Sequence, residues 1–272
     1  MLLTYIMKKL IIIAGITGSI GQELARKHIS EKDTLIYGIS RKGISMDLFE
    51  EFPTHHAILN VDMNSEQSIQ TFLEKIPNTK YTELTYYHLL GEFKTEINNE
   101  LNVIVENDLD KDGIDDTVHK LVSVAYNIMT TGLINKTKTS DCNLNIISFG
   151  SLADRYEIPC FHSFRKSREQ VIEFSKKQHL AHQNVNFYLF NTSTLFAVDE
   201  ILERPFIFGT NVNPDFWITP VELVNKTLEY TKNEKGFIER DIFLKNPDFS
   251  TDYWDPNVTY KRRVKELYNI NI

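Results

Sequence analysis

Apolar residues recur along this chain in two alternating rhythms. Short, β-branched runs predict strands at 9–14, 34–39, 56–61, 83–90, 143–149 and 184–190, with a seventh at 237–244. Between them, apolar positions spaced by three and four residues predict helices at 19–30, 64–76, 116–136, 164–179 and 219–232. In the third of these, Val118, Leu121, Val122, Ala125, Ile128, Met129 and Leu133 recur at helical spacing. Strands alternating with helices imply a parallel sheet covered on both faces. The expected fold is therefore α/β: one Rossmann-type doubly wound domain over residues 1–272, with a central parallel sheet of about seven strands. Ligands of such sheets bind beyond the carboxyl ends of the strands. Functional residues are thus expected just after positions 14, 39, 61, 90, 149 and 190. Residues 192–218, with Pro205, Gly209 and Pro214, read as an irregular insertion of the substrate-lid kind, and 246–272 as an aromatic tail packing on the body.

Composition narrows the function classes. The 272 residues are 42% hydrophobic and 25% charged, with a formal net charge of −7. An acidic chain without a Lys/Arg stripe argues against a nucleic-acid partner. The two cysteines, Cys142 and Cys160, form neither a disulfide framework nor a metal-ligand cluster, so no metal is assigned and a reducing, cytoplasmic setting is expected. No apolar run approaches the ~20 residues a membrane span requires. The start Met7-Lys8-Lys9-Leu10-Ile11-Ile12-Ile13 has too short an apolar run for a signal peptide, and residues 1–6 read as an extension before a start at Met7.

The strongest chemical signal is Lys9-Leu-Ile-Ile-Ile-Ala-Gly15-Ile-Thr-Gly18-Ser-Ile-Gly21, where a strand runs through a glycine turn into a helix. A helix N-terminus offers free N–H groups and positive dipole to an anion. Glycines let the backbone approach a pyrophosphate with no side chain in the way. Gly15, Thr17, Gly18, Ser19, Ile20 and Gly21 are therefore the candidate phosphate-facing turn of a dinucleotide site. The alternative is a tight strand-to-helix turn of another α/β protein.

Over nearly all of residues 8–245 the chain resembles a short-chain dehydrogenase/reductase. Gly15-x-x-Gly18-x-x-Gly21 is similar to the glycine motif of the family's extended branch. The second strand ends Tyr37-Gly38-Ile39-Ser40-Arg41-Lys42, with no acid to bond a ribose 2′-hydroxyl. Ser40 and Arg41 suit a 2′-phosphate, so NADP(H) is favoured over NAD(H); a solvated basic turn is the other reading. Asp62 and Met63 resemble the family's adenine-contacting segment, and His88-Leu89-Leu90-Gly91 the segment lining the ribose side. Thr219-Pro220-Val221-Glu222 resembles the helix start near the family's C-terminus.

The resemblance implies a catalytic Asn, Ser and Tyr-x-x-x-Lys. Ser151 stands at the serine position, Phe164 at the tyrosine, Arg168 at the lysine, and Ser123 or Val124 at the asparagine. Phe164 has no proton to give. Arg168 keeps a positive charge that can bond the nicotinamide ribose, yet it cannot relay a proton because its pKa lies above ~12. Ser151 remains a candidate for orienting a substrate carbonyl. The candidate replacement acids are His162, Tyr156, and Tyr188 or Asn191 near the end of the sixth strand; each can equally be a packing or surface residue. Three functions fit: an NADP(H)-dependent oxidoreductase acting on a small-molecule substrate with an atypical donor, a non-redox isomerase, dehydratase or cyclase, or a non-catalytic dinucleotide binder. The family's habit of pairing through the helices at 116–136 and 160–179 implies a homodimer or homotetramer.

Two further motifs lie outside this resemblance. Asp108-x-Asp110-x-Asp112-Gly113 opens like a calcium loop, but its twelfth position is His119 where a bidentate Glu is needed, so it reads as an acidic helix start. Arg165, Lys166 and Arg168 form a basic cluster that can attract an anionic substrate or simply solvate a helix.

Overall fold

In the computed structural model, residues 8–41, 56–77, 81–91, 96, 102–138, 141–151, 161–192 and 218–242 are described. Seven strands form one parallel sheet: β1 (Lys9–Ala14), β2 (Thr34–Ser40), β3 (Ala57–Asn60), β4 (Glu83–His88), β5 (Asn143–Ser151), β6 (Val185–Thr192) and β7 (Phe237–Ile242). Their order is β3-β2-β1-β4-β5-β6-β7, and every pairing is parallel. The chain therefore reverses its direction of travel across the sheet between β1 and β4, which creates a crevice at their carboxyl ends.

The hydrophobic effect explains why β1 is apolar throughout. Leu10, Ile12 and Ala14 pack under α2 (Glu66–Lys75), α4 (Ala125–Thr137) and α5 (His162–Ala181). Ile11 and Ile13 pack on the opposite face, under α1 (Ser19–Ile29) and α6 (Pro220–Asn233). A central strand covered on both faces has no solvent side for polar residues. Close helix packing is written locally as well: a Cβ on Gly132 would lie 2.3 Å from Leu73 Cδ1, so glycine lets α4 approach α2. At the start of α6, Thr219 Oγ1 accepts from the Glu222 amide at 3.2 Å, and Glu222 Oε2 accepts from the Thr219 amide at 2.9 Å. This capping box follows directly from the Thr-Pro-x-Glu sequence, and such a cap contributes about 1 kcal/mol.

The structure moves several predicted boundaries. β4 ends at His88, so Leu89 and Leu90 leave the sheet, although the Leu89 amide still donates to Ala14 O at 3.1 Å. β3 is shorter than expected, whereas β5 and β6 run on to Ser151 and Thr192. The expected helix at 116–136 is a composite: α3 (Asp116–His119), a π-helical turn at Lys120–Val124, and α4. Widening one turn releases a backbone carbonyl. His88 takes it, with Nε2 3.1 Å from Leu121 O. Residues 1–6, Tyr156, Cys160, Lys42, the body of the predicted insertion (193–217) and the tail at 246–272 lie outside the described residues. No helix among the described residues is long and apolar enough to cross a membrane.

Candidate functional site

Gly15, Gly18 and Gly21 stand at the topological switch point. The Gly15 amide donates to Ile39 O at the end of β2, 3.1 Å away, and a Cβ on Gly15 would lie 3.3 Å from Leu89 Cβ beyond β4. Gly15 has φ +91°, a conformation that L side chains rarely adopt. Gly21 is stricter still: its Cβ would come within 2.3 Å of Gly15 O and 2.7 Å of Ile16 Cα. That contact is with backbone, which cannot swing aside. Gly18 differs, since the nearest atom to a Cβ there would be Gly15 O at 3.5 Å. It occupies the N-cap of α1 with no side-chain capping bond, since glycine has no side chain to offer the start of the helix. Gln22 Nε2 braces the turn by donating to Thr17 O at 2.8 Å. Ser19 and Ile20 open α1.

At the neighbouring strand ends, Ser40 is buried as the last residue of β2 and Arg41 is exposed immediately after it. Asp62 is exposed beyond β3, where its Oδ1 accepts from the Asn64 amide at 3.0 Å, and Met63 is buried. Leu90 and Gly91 follow β4. The Phe164 ring crosses this segment: Cε2 lies 3.3 Å from where a Cβ on Gly91 would stand. The residue in the tyrosine position thus packs against the chain leaving β4, and it is buried.

Arg168, one turn further along α5, is only 1% exposed. Its Nη1 donates to Ser148 Oγ at 2.7 Å. Ser148 lies on the face of β5 that carries Leu144 and Ile146, under α4 and α5. Ser151, the serine singled out from sequence, is the last residue of β5 and half-buried. Its odd position puts it on the other side of the strand from Ser148 in regular β alternation. Ser148 is therefore the serine that the structure brings to Arg168. The alternation of Leu144, Ile146 and Ser148 within the predicted strand was the available signal.

Around that pair lies a buried polar network. The Leu121 carbonyl can only accept, so His88 Nε2 carries its proton, and Nδ1 accepts from the Tyr86 hydroxyl at 2.7 Å. Burial, reinforced by the Arg168 charge, pushes the His88 pKa down to about 3. His88 therefore stays neutral. Ser175 Oγ donates to Val171 O, so the Tyr126 hydroxyl donates to Ser175 Oγ, both at 2.7 Å. Burial raises the pKa values of Tyr86 and Tyr126. Ser123, at the asparagine position, sits in the π turn and donates to Gln170 Oε1 at 2.9 Å.

The other candidates separate. Tyr188 faces the α1–α6 core, where its hydroxyl donates to Glu234 O at 2.7 Å and burial pushes its pKa up to about 12, so it is no proton donor for this site. His162 is half-buried as the first residue of α5. Beside it, the Ser163 amide donates to Glu96 Oε2 at 2.7 Å and the Ser163 hydroxyl to Glu96 Oε1, so a buried carboxylate caps the helix. No sequence pattern pointed to Glu96. Arg165 and Lys166 both pair with Glu169, at 2.9 and 3.1 Å, as a solvated helix face does. The Asp108, Asp110 and Asp112 carboxylates lie within 4.8 Å of one another and accept amides of their own loop.

No protein-family model matches the sequence, and a search of curated proteins finds no match. Solved structures do match. The serine dehydrogenase of Escherichia coli is 13% identical, with a TM-score of 0.65 over 89% of this chain and 99% of that one. A short-chain dehydrogenase from Burkholderia cenocepacia in complex with NADP is 11% identical, with a TM-score of 0.62 over 85% of this chain and 86% of that one. The 3-ketoacyl-(acyl-carrier-protein) reductase of Brucella melitensis, complexed with NADH, is 15% identical, with a TM-score of 0.63 over 86% and 96%. The seven-stranded parallel sheet, its strand order and these matches together give the chain the Rossmann-type fold of the short-chain dehydrogenases/reductases.

Proposed function

We propose that the protein binds NADP(H) at the β1–α1 turn and is an oxidoreductase of short-chain dehydrogenase type, working in the cytoplasm on a small carbonyl, hydroxyl or unsaturated substrate. The observation that carries this reading is Gly21, where any side chain would meet Gly15 O at 2.3 Å. A turn so tight brings the N-terminus of α1 to the crevice, where a pyrophosphate binds. Solved structures of this fold hold NADP in one case and NADH in another, so the fold alone does not select between them. The preference for NADP(H) rests on Arg41, exposed beyond β2 where the adenine ribose lies, with no acid beside it in Ser40-Arg41. The cofactor supplies hydride chemistry when bound. The chain supplies the rest: Gly15, Gly18 and Gly21 admit the phosphates, Arg41 meets the 2′-phosphate, and Asp62 and Met63 border the adenine. Arg168, fixed by Ser148, holds positive charge under the nicotinamide half. Ser151 stands at the strand end to orient a substrate carbonyl.

A second reading, a non-catalytic dinucleotide binder, is favoured by one specific observation. Phe164 fills the donor position and packs on Gly91. No hydroxyl stands there. An assay separates the two readings. The purified protein is mixed with NADPH and a panel of aldehydes, ketones and enones, and NADPH oxidation is followed by absorbance. Saturable oxidation with any of them supports the oxidoreductase. Saturable binding of NADPH without oxidation by any of them supports the second reading.

A further inference from the structure

We infer that the substrate is an uncharged compound whose reacting group carries an apolar chain or ring, and that Val103 and Ile104 take up that apolar part. This deepens the oxidoreductase reading above and rests on it. Five large apolar side chains are exposed among the described residues, and three of them, Val103, Ile104 and Leu109, fall within seven positions of one segment. The other two, Leu180 and Val221, stand apart on α5 and α6. A single exposed apolar residue is ordinary, whereas a cluster marks a contact surface. The segment is tied to the candidate site. The Ile104 amide donates to Glu96 O at 2.9 Å, and the buried Glu96 carboxylate accepts from the amide and hydroxyl of Ser163 at the start of α5. Next to Ser163 is Phe164, whose ring packs on Gly91 beyond β4. A helix that joins two parallel strands starts at their carboxyl ends, the ligand-binding edge of the sheet. Val103, 41% exposed, and Ile104, 46% exposed, therefore stand at that edge, two hydrogen-bonded links from the donor position.

The chemistry of the neighbourhood names the occupant. Phe164 is buried, and Leu90 and Phe161 are partly buried against the same core cluster, so the surroundings of the donor position are apolar. The cations close by are already neutralised, since Arg165 and Lys166 pair with Glu169. Residues 102–112 carry four carboxylates, Glu106, Asp108, Asp110 and Asp112, against one cation, Lys111. That field repels an anion. An ammonium placed against Phe164 and Leu90 would lose its water, and the buried carboxylate next to them, Glu96, is taken up by Ser163. Hydrocarbon suffers neither cost, and covering Val103 and Ile104 removes apolar surface from water.

The test is calorimetric titration of the NADP+-saturated protein with butan-2-one, hexan-2-one, octan-2-one and octanoate. NADP+ has no hydride to give a ketone, so binding is read without turnover. A methylene taken up by apolar surface is worth up to about fourfold in affinity, so octan-2-one is expected to bind roughly a hundredfold tighter than butan-2-one. Octanoate is expected to bind about tenfold weaker than octan-2-one. Val103→Ser combined with Ile104→Ser is expected to cut the gain along the series to about tenfold. The same variant is expected to leave butan-2-one and NADP+ affinity unchanged, which also reports that it folds. An absent or flat series in wild type overturns the inference. So does a series that the double variant keeps in full, or octanoate that binds as tightly as octan-2-one. A wild type that binds no NADP+ overturns the dinucleotide reading and this inference with it, whereas one that binds NADP+ and shows a flat series overturns the inference alone.

Discussion

On the β1 side of the crevice, a methyl group on Gly21 would stand 2.3 Å from a backbone oxygen, and the first turn of α1 is left without a side-chain cap. On the β5 side, Phe164 packs against Gly91 and Arg168 donates to Ser148 deep in the core. The two halves obey different constraints. The turn is fixed by backbone sterics, so it admits almost no variation. The β5–α5 half is fixed by side-chain partners, which can be exchanged as a set: a guanidinium buried with a serine, and a neutral histidine beside a tyrosine. On the proposed reading, binding and proton chemistry are therefore separable on this fold: the glycine turn meets the requirement of the first, and Phe164 with Arg168 changes the second.

The comparison breaks most severely at Gly21. Gly21→Ala is expected to abolish NADPH binding in calorimetry and to lower stability in urea by about 2–4 kcal/mol, because backbone must move to admit the methyl. An alanine variant that binds NADPH like wild type removes the steric basis of the account. Next in size is the reverse experiment on the other half. Phe164→Tyr combined with Arg168→Lys restores a proton donor beside a cation, and a positioned acid is worth roughly 10²–10⁴ in rate. Reduction rates on a generic carbonyl panel are expected to rise accordingly. No change in rate, with NADPH still bound, would show that the two halves are no longer in working register.

A third experiment uses pH. The folded pKa of His88, about 3, lies below its ordinary 6.5, so the unfolded chain binds a proton that the native one does not. The stability due to neutral burial is complete above pH 6.5 and is lost as pH falls towards 3. His88→Gln is expected to flatten this acid limb by about 1.4 kcal/mol per pH unit in urea titrations. Glu31, whose carboxyl is held below its ordinary range chiefly by its hydrogen bond to His28, also loses stabilisation on acidification, but lower down and equally in both proteins. Identical limbs would mean that His88 takes up its proton in the folded protein. The smallest effect is at Arg41: Arg41→Ala is expected to weaken NADPH about tenfold and NADH little, as loss of one charge-assisted phosphate contact does. Equal weakening of both would remove Arg41 from 2′-phosphate recognition.

What was legible in the sequence follows the same division. The glycine turn, the end of β2 at Ser40 and the Thr219–Glu222 cap are local, so the residues that need each geometry are neighbours in the chain. The parallel sheet follows from the strand–helix alternation, whereas its strand order is a long-range property that the alternation does not fix. The chemistry half depends on partners far apart in sequence. The π turn at Lys120–Val124 has an ordinary helical pattern, and what takes up its freed carbonyl is His88, 33 positions away. Arg168 has its place in the helix register from sequence, but its bond to Ser148, 20 positions earlier, is a meeting of two elements that neither element's pattern announces. Glu96 caps α5 across 67 positions with no motif at all. Side-chain exchanges across elements leave no periodic trace, because any pair of matching donors and acceptors satisfies them.

The measurement that bears most directly on the central claim is a calorimetric titration of the wild-type protein with NADPH and NADH. The account predicts saturable binding of NADPH, tighter than NADH, by a protein whose donor position is Phe164. Binding of neither would contradict it: the turn at Gly15, Gly18 and Gly21 would then be a steric feature of the fold with no phosphate to serve.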